Sequence, residues 1–546
     1  MLRWGARELG RFVLKCLHAQ VTNADIRSYF RSKEYSEGTL GAWPHQTYRS
    51  SPAIGPILNI QKDHPTCHDN KDHLLLMGPW GTEVSNPGPM ILDTYGGLVW
   101  NDPVRYGKTW AVDVRFLDDE PYLSFWASKD PASEVGHWYM LNSTYDEVYQ
   151  IRSGDGWTAD DHDFDITPKG TALLVVNKDI PFDLSPVGGP RHGWLRDNGI
   201  QEIDIATGEV LFQWTVASHY KLEEGYHAFT PGWGEDSDHP FEPFVLNSAH
   251  ADSHGNYLVS IRHMSSIAYI DGQTGDVVWK LGGEKNSFAN LSPVGDHDDD
   301  HNATVFDGQH HARILETGEL IDSDTLIMTI FDNGFGAQEP AHPTMGKIVK
   351  LNVKQMTAQL LYQPYQNKHQ TAITHARGSL QILPNGNRLL GYGTVPSWSE
   401  FTTDGRLLCD IHYAPKVGFN TQEAFSYRVL RRLWIGQPRE APSAVIGEDN
   451  RLYVSWNGAT KVVSWELQAS RRNSADGGEQ VFVSIENITK TGFETLINIP
   501  EALDNHYLRV VGKDTQGKAL GISGVVERPS LIPRPIQFVQ DQIRMM

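Results

Sequence analysis

The chain has 546 residues, with 16 tryptophans, 50 glycines and 30 prolines, and carries a formal net charge of −20. This composition is typical of a globular, turn-rich protein and excludes wholesale disorder, while the acidic balance argues against a nucleic-acid partner. The three cysteines form no CxxC zinc or redox motif, and no apolar segment approaches the length of a membrane span.

The first 45 residues are interpreted as an extension. Within them, residues 1–20 predict a short amphipathic helix, because the apolar stretch Phe12–Leu14 is flanked by charges and lacks the apolar run of a secretory signal. The expected compartment is therefore the cytoplasm, although four sequons leave secretion open. The sequons begin at Asn142, Asn290, Asn302 and Asn487.

One unit recurs along the chain: an apolar run, a tight turn with a small or acidic residue, and a second apolar run that often ends in an aromatic residue. Separate strand candidates, such as residues 171–176, precede the copies. The copies are at residues 90–100, 140–151, 203–214, 270–281, 350–362 and 399–411, with a looser one at 456–467. No long segment shows helical periodicity.

These repeated hairpins predict an all-β fold: a β-propeller of six or seven blades followed by a small C-terminal β-sandwich-like module. The blade number stays open because a propeller closes by pairing strands from the two ends of the chain. An irregular stack of hairpins in two sandwiches is the alternative. The predicted boundaries are 46–468 for the propeller, 469–528 for the module and 529–546 for a tail.

Segments in this order resemble the fungal arylsulfotransferase-like (ASST) family, from about residue 35 to residue 525. The segments include PGPMILDTYGGLVW, QEIDIATGEVLFQW, LNSAHADSHGNYLVSIRH, TGDVVWKLGGEKNSF, GQHHARI and SWSEFTTDGRLLCDIHY. The resemblance implies a propeller enzyme that moves a sulfuryl group between phenols without a cofactor. A neutral histidine attacks sulfur, and arginine, asparagine and protonated histidine stabilise the spread negative charge.

Two histidines are the catalytic candidates that the resemblance implies. His162, in ADDHDFDIT, would bind or protonate a sulfuryl oxygen; alternatively, it is a loop histidine satisfied by its acidic neighbours. His310, in GQHHARI, is the candidate nucleophile. His311 stands where the family usually has aspartate, and Gln309 is expected to line the cavity. Arg313 is expected to be a structural ion-pair partner.

Three further residues are candidate substrate contacts. Asn247, in FVLNS, matches the family asparagine, and Arg262, in VSIRH, matches an arginine that would clamp an anionic oxygen; its alternative is a structural bridge between blades. Val245 occupies a position where the family has histidine. Valine transfers no proton and donates no hydrogen bond. We expect its side chain to face the cavity and sulfuryl transfer to be weak.

No metal site is predicted. The stretch 296–301 contains aspartates and histidines but lacks the glycine and spaced oxygens of a calcium loop, so an insertion in a surface loop is the preferred interpretation. Cys67 and Cys409 both fall in family-like segments near the closure of the propeller. Two buried thiols are expected there, with a disulfide as the alternative.

Three functions remain open. The first is sulfuryl transfer to an aromatic small molecule. The second is a repurposed, cofactor-free cyclase, isomerase or lyase of secondary metabolism, which the departures at Val245 and His311 favour. The third is a non-catalytic binding propeller, which has no need of the cluster of His162, Asn247 and His310. The substrate and the oligomeric state cannot be read from the sequence.

Overall fold

The structure, a computed structural model, describes residues 25–70, 72–129, 135–292, 302–315, 324–336, 339–340, 342–361, 365, 367, 372–471, 480–504 and 506–528. Three predictions lie outside the described residues: the N-terminal helix, the acidic stretch 296–301 and the tail 529–546. Among the described helices, none has the length and apolar character that crossing a membrane requires.

Contacts divide the chain into two compact units. The large unit comprises residues 26–46 and 53–438; of the described residues, the small unit comprises Asp25, 47–52 and 439–528. This division differs from the predicted boundary between residues 468 and 469. The reason is that strands at Ser443–Ile446, Leu452–Ser455 and Ser464–Arg471 pair with later strands of the small unit.

Short strands dominate the residues up to 438. The first fifteen are β1 (Tyr29–Phe30), β2 (His45–Thr47), β3 (Ile54–Pro56), β4 (Asn59–Lys62), β5 (His73–Trp80), β6 (Met90–Leu92), β7 (Leu98–Asn101), β8 (Thr109–Leu117), β9 (Glu120–Ala127), β10 (His137–Leu141), β11 (Glu147–Ile151), β12 (Thr158–Ile166), β13 (Ala172–Phe182), β14 (Gly193–Ile203) and β15 (Val210–Thr215). The next sixteen are β16 (Leu246–Ala251), β17 (Tyr257–Ile261), β18 (Ser266–Ile270), β19 (Val277–Gly282), β20 (Ala289–Asn290), β21 (His310–Ile314), β22 (Thr325–Asp332), β23 (Phe335–Gly336), β24 (Glu339–Pro340), β25 (Met345–Asn352), β26 (Thr357–Leu360), β27 (Ser379–Ile382), β28 (Arg388–Gly391), β29 (Ser397–Phe401), β30 (Leu407–His412) and β31 (Phe425–Leu433).

Helices are short in the described part of the chain. The α-helices are α1 (Lys33–Ser36) and α2 (Pro103–Tyr106). The 3₁₀ turns are Pro65–His68, Ser185–Val187, Leu222–Glu224, Arg262–Met264, Lys416–Gly418 and Glu501–Leu503.

Within the described residues, the large unit contains six sheets of four or more strands. Sheet A is β31-β5-β6-β7, sheet B is β8 to β11, sheet C is β12 to β15 and sheet D is β16 to β19. Sheet E is β21-β22-β25-β26-β20, and sheet F is β27-β28-β29-β30-β4-β1. Each is an antiparallel meander apart from the parallel additions of β20 and β1.

Sheets A and F combine strands from both ends of the large unit. In sheet A, β31 pairs with β5, and in sheet F, β4 pairs with β30. Beside sheet F, a disulfide links Cys67 to Cys409, with an S–S distance of 2.06 Å. The expected pair of free thiols was therefore wrong: pairing of β4 with β30 brings the 3₁₀ turn that carries Cys67 against β30.

The first strands of the six sheets contact one another. Strand β8 contacts β31 and β12, β16 contacts β12 and β21, and β27 contacts β21 and β31. Apolar clusters fill the spaces between neighbouring sheets, as where Val175 and Ile200 of sheet C pack with Val259 and Ile261 of sheet D. Successive residues of a strand point to opposite faces of its sheet, so apolar residues on both faces contribute to the clusters on either side.

Five of these first strands carry a β-bulge near the same end. The register shifts in β8, β12, β16, β21 and β31. The sixth, β27, has no shift but begins two residues after Arg377, whose φ is +67°. A bulge leaves a residue outside the ladder and redirects its side chain, so this end of the strands is suited to presenting polar groups.

Six of the predicted repeats are two-stranded hairpins. They correspond to β6–β7, β10–β11, β14–β15, β18–β19, β25–β26 and β29–β30. The looser copy at residues 456–467 is not a hairpin. Residues 456–463 there are irregular, and the strand that follows pairs with other segments.

The small unit has two sheets that share one core. The strands are β32 (Ser443–Ile446), β33 (Leu452–Ser455), β34 (Ser464–Arg471), β35 (Val483–Thr489), β36 (Glu494–Ile497), β37 (His506–Lys513), β38 (Ala519–Ile522) and β39 (Val526–Glu527). The sheets are β32-β33-β36 and β35-β34-β37-β38, with β39 on β37. Leu452, Trp465 and Val510 pack in the shared core.

Candidate active site

The bulged ends of the first strands carry most of the predicted site residues. His162 lies in the bulge of β12, Asn247 in that of β16 and His310 beside that of β21. Arg262 directly follows β17 and therefore belongs to the same sheet as Asn247. The four residues thus come from three sheets, C, D and E.

His162 is held as a cation by adjacent carboxylates. Its Nδ1 is 2.5 Å from Oδ1 of Asp160 and 3.2 Å from Oδ1 of Asp161. Burial alone would lower the pKa of His162, but the charge and hydrogen bond of Asp160 and the charge of Asp161 outweigh it and raise the pKa to about 9. The ring is therefore protonated at neutral pH and is suited to act as an acid.

His310 has the opposite protonation state. Its Nδ1 donates to the carbonyl of Gly308 at 2.9 Å and to Oδ1 of Asn333 at 2.8 Å, while its Nε2 accepts the backbone N–H of Arg377 at 3.1 Å. Burial, reinforced by the charge of Arg262, holds the pKa of His310 well below its usual range. The imidazole is neutral, and its lone pair is on Nε2.

Tyr427 joins these residues. Its ring meets the ring of His162 edge-on at 5.6 Å and that of His310 at 6.4 Å between centroids. The Tyr427 hydroxyl donates to the carbonyl of Asn247 at 3.3 Å, and the Asn247 amide donates to the carbonyl of Gln309 at 2.7 Å. The structure therefore brings His162, Asn247 and His310 around one tyrosine.

Arg262 lies near the group of residues around Tyr427. It has no ion-pair partner among the described residues. Its Nη1 donates to Nε2 of His263 at 2.6 Å and its Nη2 to the carbonyl of His375 at 3.1 Å. The buried Nε has no hydrogen-bond partner in the described part of the chain. An arginine whose charge is not balanced by a carboxylate is suited to binding an anion.

Val245 has a left-handed backbone conformation, with φ of +54°. Its N–H donates to Oδ1 of Asn198 at 2.9 Å, and its carbonyl accepts the N–H of Arg262 at 2.9 Å. A β-branched residue is rarely found at positive φ, because its Cβ crowds the carbonyl that follows. The side chain is half-buried, and its direction into the cavity stays a prediction.

Gln309 and His311 make structural contacts. The Gln309 amide is buried and donates to Ser260 Oγ and to the carbonyls of Ile261 and Ser266. His311 donates to the carbonyl of Leu380 at 3.1 Å. These contacts use the donors of both side chains and leave Oε1 of Gln309 without a hydrogen-bond partner in the described part of the chain.

Arg313 has the structural role expected from the sequence. It forms an ion pair with the buried Asp163 at 2.7 Å, and Arg428 binds the other oxygen of Asp163, also at 2.7 Å. The charge of Arg313, after burial, helps to hold the pKa of His311 well below its usual range.

Sequence reasoning missed two cationic residues. Arg377 packs its guanidinium over Phe425 and Trp110, at 4.0 and 4.9 Å from the ring centroids, and Lys108 lies 5.0 Å from the ring of Trp80. Both fall between recognisable strands, where no periodic pattern points to a side chain. The signal available for Arg377 is the run GSLQILPNGN, a further segment that resembles the family and begins at the next residue.

Asp160, Asp161 and His162 offer ligand atoms within 4.8 Å of one another, a spacing compatible with a metal ion. In the present structure the two carboxylates lie at ion-pair distance from Nδ1 of His162.

A cavity of about 600 Å³ opens at the other ends of the same strands. Its lining includes Asp165, His250 and Ile314, together with the turns at Asp118 and Lys169. Nδ1 of His250 is 2.8 Å from Oδ2 of Asp165. None of the predicted site residues lines this cavity.

The solved structures that match this chain share little sequence with it. A Bacteroides caccae protein of unknown function has 16% identity and a TM-score of 0.37, covering 66% of this chain and 98% of its own. The Swd1 β-propeller domain of Cps50 from Myceliophteria thermophila has 12% identity and a TM-score of 0.28, covering 63% and 97%. Virginiamycin B lyase from Staphylococcus aureus has 9% identity and a TM-score of 0.22, covering 68% and 84%. At values this low, the similarities do not indicate a shared function.

No curated protein matches the chain. A family model described as arylsulfotransferase (ASST) matches residues 113–414, which is more than half of the sequence. The match includes every predicted site residue, from His162 to His311. The chain therefore belongs to the arylsulfotransferase (ASST) family.

Proposed function

We propose that sheets A to F are the blades of a six-bladed propeller and that their first strands surround its axis. The contacts that link β31, β8, β12, β16, β21 and β27, and that return from β27 to β31, support this arrangement. In sheets A and F, strands from the two ends of the large unit pair with each other, which is the usual way in which a propeller closes. The bulged strand ends then form one mouth of the axial channel.

We further propose that the group around Tyr427 transfers a sulfuryl group from an aryl sulfate to an aromatic hydroxyl. The observation that carries this proposal is the opposite protonation of two nearby histidines. His310 is neutral with its lone pair on Nε2, whereas His162 is cationic. Pairs of titratable groups with separated pKa values are typical of acid–base chemistry.

In the first half-reaction, Nε2 of His310 forms a bond to sulfur and the bond from sulfur to the aryl oxygen breaks. The leaving aryl oxygen takes the proton of His162, and the Nδ1–H of His310 remains bound to Asn333 and Gly308. The acceptor hydroxyl then gives its proton to His162 and attacks sulfur as the S–N bond breaks. Arg262 stabilises the sulfuryl oxygens.

This reaction requires a local rearrangement. In the present conformation the lone pair of His310 Nε2 accepts the N–H of Arg377. The peptide must turn away, or the substrate must displace it, before nitrogen attacks sulfur. Arg377 has φ of +67°, so the hydrogen bond is held in a conformation that non-glycine residues rarely adopt.

The same hydrogen bond favours a second candidate, a repurposed enzyme with weak sulfuryl transfer. Val245 also removes an acid–base group that the family has at that position. A neutral His310 and a cationic His162 would still form a base and an acid for a cofactor-free isomerisation or elimination. The two candidates predict different rates with aryl sulfates.

The test uses 4-nitrophenyl sulfate as donor and phenol as acceptor. We expect turnover that is lost in His310→Gln and reduced about a hundredfold or more in Arg262→Gln. The exposed Arg152 on the outer strand side of sheet B provides the control Arg152→Gln, which should retain activity. Absence of transfer in the wild-type protein, or full activity in His310→Gln, contradicts the proposed function.

For the compartment, we propose an oxidising environment in place of the expected cytoplasm. The Cys67–Cys409 disulfide supports it, since such links persist mainly outside the reducing cytosol. Alkylation of protein isolated from its native source, without reduction, should leave both cysteines unmodified. Alkylation of both would contradict the proposal.

A further inference from the structure

Three cations lie near the candidate active site without a carboxylate at ion-pair distance among the described residues: Arg262, Arg377 and Lys108. The hydrogen bonds and ring contacts that the structure gives them are to neutral groups. The proposed function uses Arg262 for the sulfuryl oxygens. Arg377 and Lys108 remain without a role in that reaction.

Arg377 has a fixed orientation. Its guanidinium lies over Phe425 and Trp110, and its Nη1 donates to Oε1 of Gln422 at 3.0 Å. Its Nε and Nη2 have no hydrogen-bond partner in the described part of the chain, and they are not fully buried. One edge of a planar, pre-oriented guanidinium is thus free for a planar anion.

Lys108 extends the same positive region. Its ammonium lies 5.0, 5.3 and 5.8 Å from the rings of Trp80, Trp110 and Trp126. Trp110 is therefore shared between Lys108 and Arg377, which lie 5.3 and 4.9 Å from the centroid of its ring. Ring faces stabilise a cation without neutralising it.

Asp161 is the carboxylate whose charge acts on both cations, and it belongs to another pair. Its Oδ1 is 3.2 Å from Nδ1 of His162, and burial raises its pKa. It forms no ion pair with Lys108 or Arg377. Burial lowers the pKa of Arg377 to about 10, so the guanidinium remains charged at neutral pH.

We propose that Arg377 and Lys108 form a subsite for a carboxylate, so that the aromatic substrate of this protein is an aryl carboxylic acid. The inference rests on the proposed function, because it assigns the second anionic group of the same substrate. In the bound substrate, the reacting oxygen on the aromatic ring faces His310 and the carboxylate on the same ring faces Arg377. A hydroxybenzoate has this arrangement of groups.

The test compares 4-hydroxybenzoate with its methyl ester, which has the same ring but no charge. Titration calorimetry with the full chain should give a dissociation constant at least tenfold lower for the acid, and added salt should reduce this preference. Arg377→Gln and Lys108→Gln should each weaken binding of the acid about tenfold and leave the ester unchanged. Arg377→Lys should recover part of the preference, and Arg152→Gln should retain all of it.

Equal affinity for the acid and the ester overturns the proposal, as does unchanged binding of the acid in Arg377→Gln. If Arg262→Gln alone abolishes binding of the acid, the carboxylate occupies the sulfuryl subsite and the proposal is also wrong. Thermal unfolding of each variant shows that a loss of affinity is not a loss of fold.

These outcomes are separable from failure of the proposed function. If the protein binds the acid through Arg377 but does not transfer sulfate, the subsite is supported and the proposed reaction is wrong. If the protein transfers sulfate to 4-hydroxybenzoate and to its methyl ester with equal kcat/KM, and Arg377→Gln changes neither value, the reaction is supported and the subsite is wrong.

Discussion

Two neighbouring regions of the large unit use arginine in opposite ways. Within the bulges and directly after them, the ionic network of Arg115, Arg313, Arg428 and Arg432 pairs every guanidinium with Asp113, Asp163 or Asp165. Arg262, after β17, and Arg377, before β27, have no such partner among the described residues. Paired buried charges hold the strands together, whereas unbalanced ones are available for an anion. The contrast separates residues for stability from residues for binding.

The largest effect is expected from Asp163→Asn, which breaks the ionic network. Asp163 is fully buried and accepts from Arg313, from Arg428 and from the N–H of Ala249. Its loss leaves two guanidinium groups without their shared counter-charge, and we expect about 3–5 kcal/mol less stability. Denaturant unfolding measures this.

Two control variants sharpen that result. Asp179→Asn removes the partner of Arg196 in a half-exposed pair and should cost about 1 kcal/mol or less. Arg262→Gln should also change stability by less than about 1 kcal/mol. If Arg262→Gln destabilises as much as Asp163→Asn, the distinction between the two regions is wrong.

The disulfide tests stability without touching either region. Cys67→Ser opens a link between positions 342 residues apart, and we expect a loss of roughly 2–4 kcal/mol. The variant should unfold like the wild-type protein in reductant. Below its unfolding transition, the variant should bind 4-hydroxybenzoate with unchanged affinity. If the wild-type protein is equally stable with and without reductant, the disulfide does not contribute to its stability.

The next effect is on pH dependence. With the pKa of His162 at about 9, the acid form is present at neutral pH and is lost as pH rises through 9. The burst of nitrophenol release should therefore be constant to about pH 8 and fall about tenfold per unit well above 9. The raised pKa also stabilises the fold below the unfolded value of about 6.5, and this contribution is lost as pH rises through 9.

Asp160→Asn is the matched change for that profile. It removes the main carboxylate that raises the pKa of His162, so the fall should move to lower pH. A burst that does not decrease above pH 9, or a profile that is identical in Asp160→Asn, would show that His162 is not the acid.

The smallest effect is expected from Val245→Asn. Asparagine adopts positive φ more readily than a β-branched residue, so we expect a gain of about 1 kcal/mol in the free energy of unfolding. Val148→Asn, on the ordinary strand β11, should bring no gain. A loss of stability in Val245→Asn would mean that apolar contacts of the valine outweigh its backbone conformation.

Local patterns in the sequence determined the repeated hairpins. Six of them match strands because alternation and turn chemistry act within about a dozen residues. The copy at 456–467 failed because its second run pairs with β35 and β37, which lie later in the chain. The family motifs likewise led to His162, Asn247 and His310, since motif residues keep their order along the chain.

The tertiary structure alone decided which charges are balanced. The partners of Asp163 are 150 and 265 residues away in sequence, and Arg377 reaches His310 across 67 residues. The same distance effect hid the Cys67–Cys409 link and the hydrogen bond from His311 to the carbonyl of Leu380. Protonation and charge depend on burial and on neighbours in space, which no pattern along one strand specifies.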